Sequence, residues 1–93
     1  MRQNEYTRAA EALRVIAHPQ RLKILELLQD GELSVSDIQA DLGIKQSITS
    51  QHLNNMKNKA ILKSQRRGNS VFYHIINKDI LKVITCIKGC QEK

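Results

Sequence analysis

The sequence predicts a mainly α-helical domain with a small β-hairpin set before its last helix. Apolar residues recur at helical spacing in five separate stretches. Two short alternating runs flank Gly68-Asn69, and Pro19, Gly31 and Gly43 punctuate the helical stretches. A chain of 93 residues, 41% hydrophobic and 26% charged, fits one domain over 1–93 rather than a disordered segment. At this size only about two-thirds of the unfolded surface is buried, so pairing with a second copy would add stability.

Tyr6, Ala9, Ala10, Leu13, Ile16 and Ala17 place a first helix over roughly 4–17. His18-Pro19 interrupts it, and Pro19 suits the first turn of the next helix. Leu22, Ile24, Leu25 and Leu28 define that second helix, with a glycine cap near Asp30-Gly31. Ser34 followed by Asp37 resembles a capping box, opening a short third helix that buries Val35, Ile38 and Leu42 and stops at Gly43.

A fourth helix follows over roughly 46–59, with a thin apolar seam of Thr49, Leu53, Met56 and Ala60. Its opposite side carries Ser47, Ser50, Gln51 and Asn54, a face of hydrogen-bonding groups. Residues 61–65 and 71–76 read as the two hairpin strands. Ile80, Val83, Ile84 and Ile87 stripe a last helix expected to end near Gly89. The order is helix, helix, helix, helix, strand, strand, helix.

Charge is distributed unevenly along this order. The net charge is +6, yet residues 26–41 hold five acids and no base. Between Asp41 and Asp79 there is no acid, while Lys45, Lys57, Lys59, Lys63, Arg66, Arg67 and Lys78 all fall there. An acid-free basic segment laid over a polar helix suits a polyanion with readable edges, and double-stranded DNA is the leading partner. Trp is absent and aromatics make up 3%, which argues against a base-stacking surface for single strands.

Two helices joined by Gly43-Ile44-Lys45, the second of them polar, form a helix-turn-helix pattern, and the basic hairpin would then be a wing. In that geometry the second helix enters the major groove N-terminus first. Gln46 and Gln51 suit adenine edges, Ser47 and Ser50 suit base edges or phosphates, and Arg66 and Arg67 suit phosphates or a narrow minor groove. Small helical proteins often show a polar helix and a basic loop, so pattern and charge alone leave both readings open.

The sequence resembles a known family in ordered blocks. These are His18-Pro19-Gln20-Arg21-Leu22, Ile24-Leu25-Glu26-Leu27-Leu28, Glu32-Leu33-Ser34-Val35-Ser36-Asp37, Gln46-Ser47 with Ser50-Gln51-His52-Leu53, and Val71-Phe72-Tyr73. Together they resemble the ArsR/SmtB-type winged-helix repressors over about residues 10–84. The resemblance implies a winged helix-turn-helix, a homodimer packed through the first and last helices, and a palindromic operator read one DNA turn apart. It also implies DNA contacts from Lys45, Gln46, Ser47, Ile48, Ser50, Gln51 and His52, and from Arg66, Arg67 and Asn69 at the wing. One departure stands out at Ile48-Thr49, where the family has a small polar residue and then an aliphatic one. Either Ile48 touches a thymine methyl, or Thr49 adjusts the core seam.

Many members of the family release DNA on binding a metal or metalloid. Positions matching the thiol ligands of one type are Ser34 and Ser36, and hydroxyls are poor ligands for soft ions. Positions matching a zinc site on the last helix are Asn77, Asp79, Cys90 and Lys93, a poor zinc set. No metal or other cofactor is therefore expected, and His18, His52 and His74 stand on separate elements without ligand spacing. Cys86 and Cys90, at i and i+4 on the last helix, remain as a candidate thiol switch. They fit plain packing, oxidation or sulfur chemistry, or a soft ion, and the sequence leaves these open along with the inducer itself.

A winged helix that binds protein is the competing class, though its face would expose more apolar area. So is a DNA-binding regulator with no small-molecule sensing. An enzyme is not expected, because no phosphate loop, nucleophile motif or paired catalytic carboxylates occur. No window has the length of a membrane span and the first residues lack a signal-peptide core, so a cytoplasmic location without membrane attachment is expected.

Overall fold

The computed structural model describes residues 2–91, and side chains as far as Gly89. Five α-helices run as α1 (Gln3–Ile16), α2 (Pro19–Leu27), α3 (Val35–Leu42), α4 (Gln46–Asn58) and α5 (Lys78–Gln91). A single 3₁₀ turn, Leu28–Asp30, follows α2. Three strands, β1 (Leu33–Ser34), β2 (Leu62–Arg67) and β3 (Ser70–Ile75), form an antiparallel sheet in the order β1-β3-β2.

Local chemistry sets the boundaries. His18 caps α2, its Nδ1 accepting from Gln20 N–H at 3.2 Å, and Pro19 fills the first helical position. Ser34 Oγ accepts from Asp37 N–H at 3.1 Å and starts α3, which Gly43 ends in the left-handed conformation at φ 68°. Asn77 Oδ1 accepts from the N–H groups of Asp79 and Ile80 at 3.0 and 3.1 Å and starts α5. At the hairpin tip Gly68 sits at φ 61° and Asn69 at negative φ, the pattern of a turn with glycine in its first central position.

Four expectations change. β1 extends the hairpin to three strands, pairing Leu33 with Tyr73 and Ser34 with Phe72; two residues are too short to show a period. The α2 stretch tightens into the 3₁₀ turn before Gly31. Gly31 takes φ 145°, open to glycine but outside the left-handed helical cap expected there. Ala60 leaves the α4 seam: it turns the chain at φ 57° and is exposed, so Ile61 takes the buried place. α5 does not end at Gly89 but continues to Gln91, since one helical glycine costs only about 1 kcal/mol.

The core gathers Ile16, Ile24, Leu25, Ile38, Leu53 and Met56 with Ile61, Leu62, Tyr73, Ile80 and Ile84. Leu53 and Met56 are fully buried, each worth about 1.5–3 kcal/mol of apolar burial. They pin α4 by its inner side and leave the rest of its surface outside.

Candidate nucleic-acid interface

The outward side of α4 is built as its periodicity requires. Gln46, Ser47, Ile48, Gln51 and Asn54 are exposed, Ser50 is half-buried, and Lys45 before them is exposed. Thr49 is fully buried and donates its hydroxyl to Lys45 C=O at 3.2 Å, whereas Ile48 is 41% exposed. The departure at these two positions therefore divides cleanly: Thr49 belongs to the core seam, and Ile48 is an apolar group on the outer surface.

His52 is a correction. It was expected among the DNA-facing residues, but it is only 7% exposed and turned toward α2. Its Nδ1 accepts from Arg21 Nε at 3.0 Å, while an Arg21 terminal nitrogen (Nη1) donates to Val15 C=O at 2.9 Å. The His18 ring lies 4.6 Å away, so these two histidines are neighbours rather than isolated groups. Burial, then the charge of Arg21 and the proximity of His18, push the His52 pKa below its ordinary value. The position faces inward because it falls one turn before Met56 on the buried stripe.

The wing separates its two arginines. Successive strand residues face opposite ways, and Arg66 pairs with Val71 on the side that carries Ser64, Leu62 and buried Tyr73. Arg67 takes the other side. There it forms an ion pair with Glu32 and lies over the Phe72 ring, 4.1 Å from its centroid. Arg67 is thus engaged within the sheet, and Arg66 is exposed with only a long 3.5 Å contact to Gly68 C=O.

Between α3, α4 and the hairpin runs a cleft of about 340 Å³, lined by Ser36, Gln39, Gln46, Ser50, Asn54 and Asn69 among others. The fold therefore brings Gln46, Ser50 and Asn69 together and leaves Ser47, Ile48 and Gln51 on the open surface beside them. Gln39 was not singled out from sequence, and Ser36 entered only as a position matching a metal-ligand thiol; their i, i+3 spacing on the polar side of a capped helix was the available signal for this cleft.

Ser34 and Asn77 both serve as helix caps, their side-chain oxygens accepting from backbone N–H groups at the starts of α3 and α5. Among the described residues, no three His, Cys, Asp or Glu side chains gather around a common point. Cys86 is exposed on α5, while the side chain of Cys90, the other half of the candidate thiol switch, lies outside the described residues, as does Lys93. No helix among the described residues is long and apolar enough to cross a membrane.

Comparison with known proteins bears on the fold and the family. The family model "Bacterial regulatory protein, arsR family" matches residues 18–64, from the cap of α2 into β2. The transcriptional repressor PagR of Bacillus anthracis is 40% identical over 83 residues, spanning 88% of this chain and 83% of PagR. Its crystal structure matches with a TM-score of 0.83 at 37% identity, covering 92% of this chain and 99% of that one. HlyU from Vibrio cholerae matches over 100% of both chains, with a TM-score of 0.91 at 28% identity. The shared fold, the matched helix-turn-helix and the near full-length similarity to PagR show that this chain belongs to the arsR family of bacterial regulatory proteins.

Proposed function

We propose that this DNA-binding transcriptional regulator acts as a homodimeric repressor, occupying a palindromic operator with α4 of each copy in the major groove. The observation that carries the reading is the outer side of α4, where Gln46, Ser47, Ser50, Gln51 and Asn54 form a neutral hydrogen-bonding surface inside an acid-free segment. Gln51 and Gln46 read adenine edges, Ile48 meets a thymine methyl, and Ser47 and Ser50 bond base edges or phosphates. Lys45, Arg66 and Asn69 hold the backbone, and Arg67 orients the wing from the sheet side.

Dimer formation has its own support. Tyr6 and Leu13 on α1 are 55% and 50% exposed, and Ile87 on α5 is 40% exposed. Apolar side chains left outside on both these helices suit a second copy. A bacterial regulator of this kind works where the chromosome is, in the cytoplasm.

A second feature bears on release. Exposed Cys86 is open to oxidants or sulfur species, with Cys90 one turn on as its partner thiol. Joining the two across subunits gives up two electrons and two protons to the oxidant. Replacing both by Ser would then leave DNA binding intact and abolish release by peroxide or polysulfide; unchanged release would remove them from the mechanism.

Fluorescence anisotropy on DNA upstream of the protein's own gene, against a scrambled duplex, tests the operator reading. The reading requires tighter binding to the upstream DNA and a steep loss with salt. Equal binding to both, or a flat salt dependence, would refute it.

A further inference from the structure

α4 has a cleft along each flank, and the two differ in charge. The cleft toward α3 and the wing is lined by neutral hydroxyls and amides together with Val35, Val71 and Tyr73. The cleft on the other flank, about 550 Å³, lies between the end of α1, the start of α2 and the C-terminal half of α4. Arg14, Arg21, Asn55, Asn58 and Lys59 line it, with Glu11 as the one carboxylate in its described lining.

We infer that this cationic cleft receives a backbone phosphate of the DNA strand that walls the major groove beside α4. The inference rests on the reading of α4 as the groove helix. A helix with its side chains is about 10–12 Å across and the groove about 12 Å wide, so both flanks of the helix meet phosphate walls. The groove is only about 8.5 Å deep, whereas the 13 residues of α4 extend about 20 Å. A helix entering by its N-terminus therefore presents Gln46 to Gln51 to base edges and carries Asn55, Asn58 and Lys59 out past them, on the side of the phosphates.

The charge along α4 follows the same division. From Gln46 to Met56 the only titratable side chain is the inward His52, whose burial favours its neutral form, and the lysines come afterwards at Lys57 and Lys59. Arg21 is fixed in the cleft wall by its bonds to Val15 and His52 and lends its charge without needing to move. Arg14 is exposed and pairs with no carboxylate among the described residues. Lys59 Nζ lies 3.7 Å from Glu11 Oε2, with both side chains nearly half exposed, so the link is weak and Lys59 can exchange the carboxylate for a phosphate. Tyr6 and Leu13 occupy a different stripe of α1 from Glu11 and Arg14, so an α1-mediated dimer leaves the cleft open.

The test compares wild type, Arg14→Ala/Lys59→Ala and Glu11→Gln on the upstream and scrambled duplexes across a salt series, with matched melting curves to establish folding. The double variant should weaken both duplexes by the same factor and flatten the log–log salt slope by about 1–2. Glu11→Gln should bind both duplexes more tightly than wild type. Inorganic phosphate and pyrophosphate, added at constant ionic strength, should show no saturable binding to the cleft. Wild-type slope and affinity in the double variant would overturn the inference. So would saturable phosphate binding lost in the double variant while its DNA binding is unchanged, which would mark a small-anion site instead. Failure of wild type on every duplex would instead bring down the operator reading, and the inference with it.

Discussion

Arg21 Nε on α2 donates to His52 Nδ1 on α4 across 3.0 Å, joining the helix that presents the outer polar surface to the capped corner at His18. The bond requires His52 to be neutral at Nδ1, so its protonation state and the seating of α4 are linked. Arg21 also holds Val15 C=O, which places α1, α2 and α4 on one guanidinium.

That linkage has a definite sign. The pKa of His52 in the fold lies below its ordinary value of 6.5, chiefly through burial, with Arg21 and His18 adding to it. The unfolded chain therefore takes up the proton first as pH falls, and stability is complete above about pH 6.5 and declines below it until folded His52 itself protonates. Urea midpoints at about pH 7.5 and about pH 5.5 should fall further in wild type than in His52→Asn. Equal falls would show that His52 is not the titrating group.

Arg21→Lys keeps the charge and loses the planar fork that serves two acceptors at once. The expected cost is about 1–3 kcal/mol in urea unfolding, because His52 and Val15 lose their donor in a partly buried place. A change within about 0.5 kcal/mol would mean that water or a neighbour replaces the guanidinium.

Ile48 and Thr49 should separate function from stability. Ile48→Ala removes an exposed side chain and should alter stability by no more than about 0.5 kcal/mol, while costing about 1 kcal/mol in discrimination at one thymine. Thr49→Ala opens a space in the fully buried seam and should destabilise by about 1–3 kcal/mol with little change in base preference. Melting curves and binding to singly substituted duplexes check both, and the opposite assignment would reverse the orientation of α4.

Periodicity made the helices legible because each has one side on the core, and the polar outer side of α4 was visible for the same reason. What stayed hidden depends on contacts between segments far apart in sequence. The touching rings of His18 and His52 arise only when α2 packs on α4, and the engagement of Arg67 by Glu32 arises only when β1 joins the hairpin. Ala60 continued the α4 period on paper, but a left-handed turn ended the helix before it.

The wing arginines should differ accordingly. Arg66→Ala should flatten the salt slope by about 1 and weaken every duplex alike. Arg67→Ala should instead disturb the hairpin, since its partners are Glu32 and Phe72, and Glu32→Gln should reproduce part of that effect. Amide exchange across β2 and β3 distinguishes them: faster exchange in Arg66→Ala than in Arg67→Ala would contradict the division.

The most direct test of the account is the ratio of upstream-DNA to scrambled-duplex affinity in Gln51→Ala. Gln51 is exposed in the middle of the polar side of α4, so the account predicts a loss of about 1–3 kcal/mol in that ratio with the melting temperature unchanged. An unchanged ratio, with both affinities falling together, would contradict it.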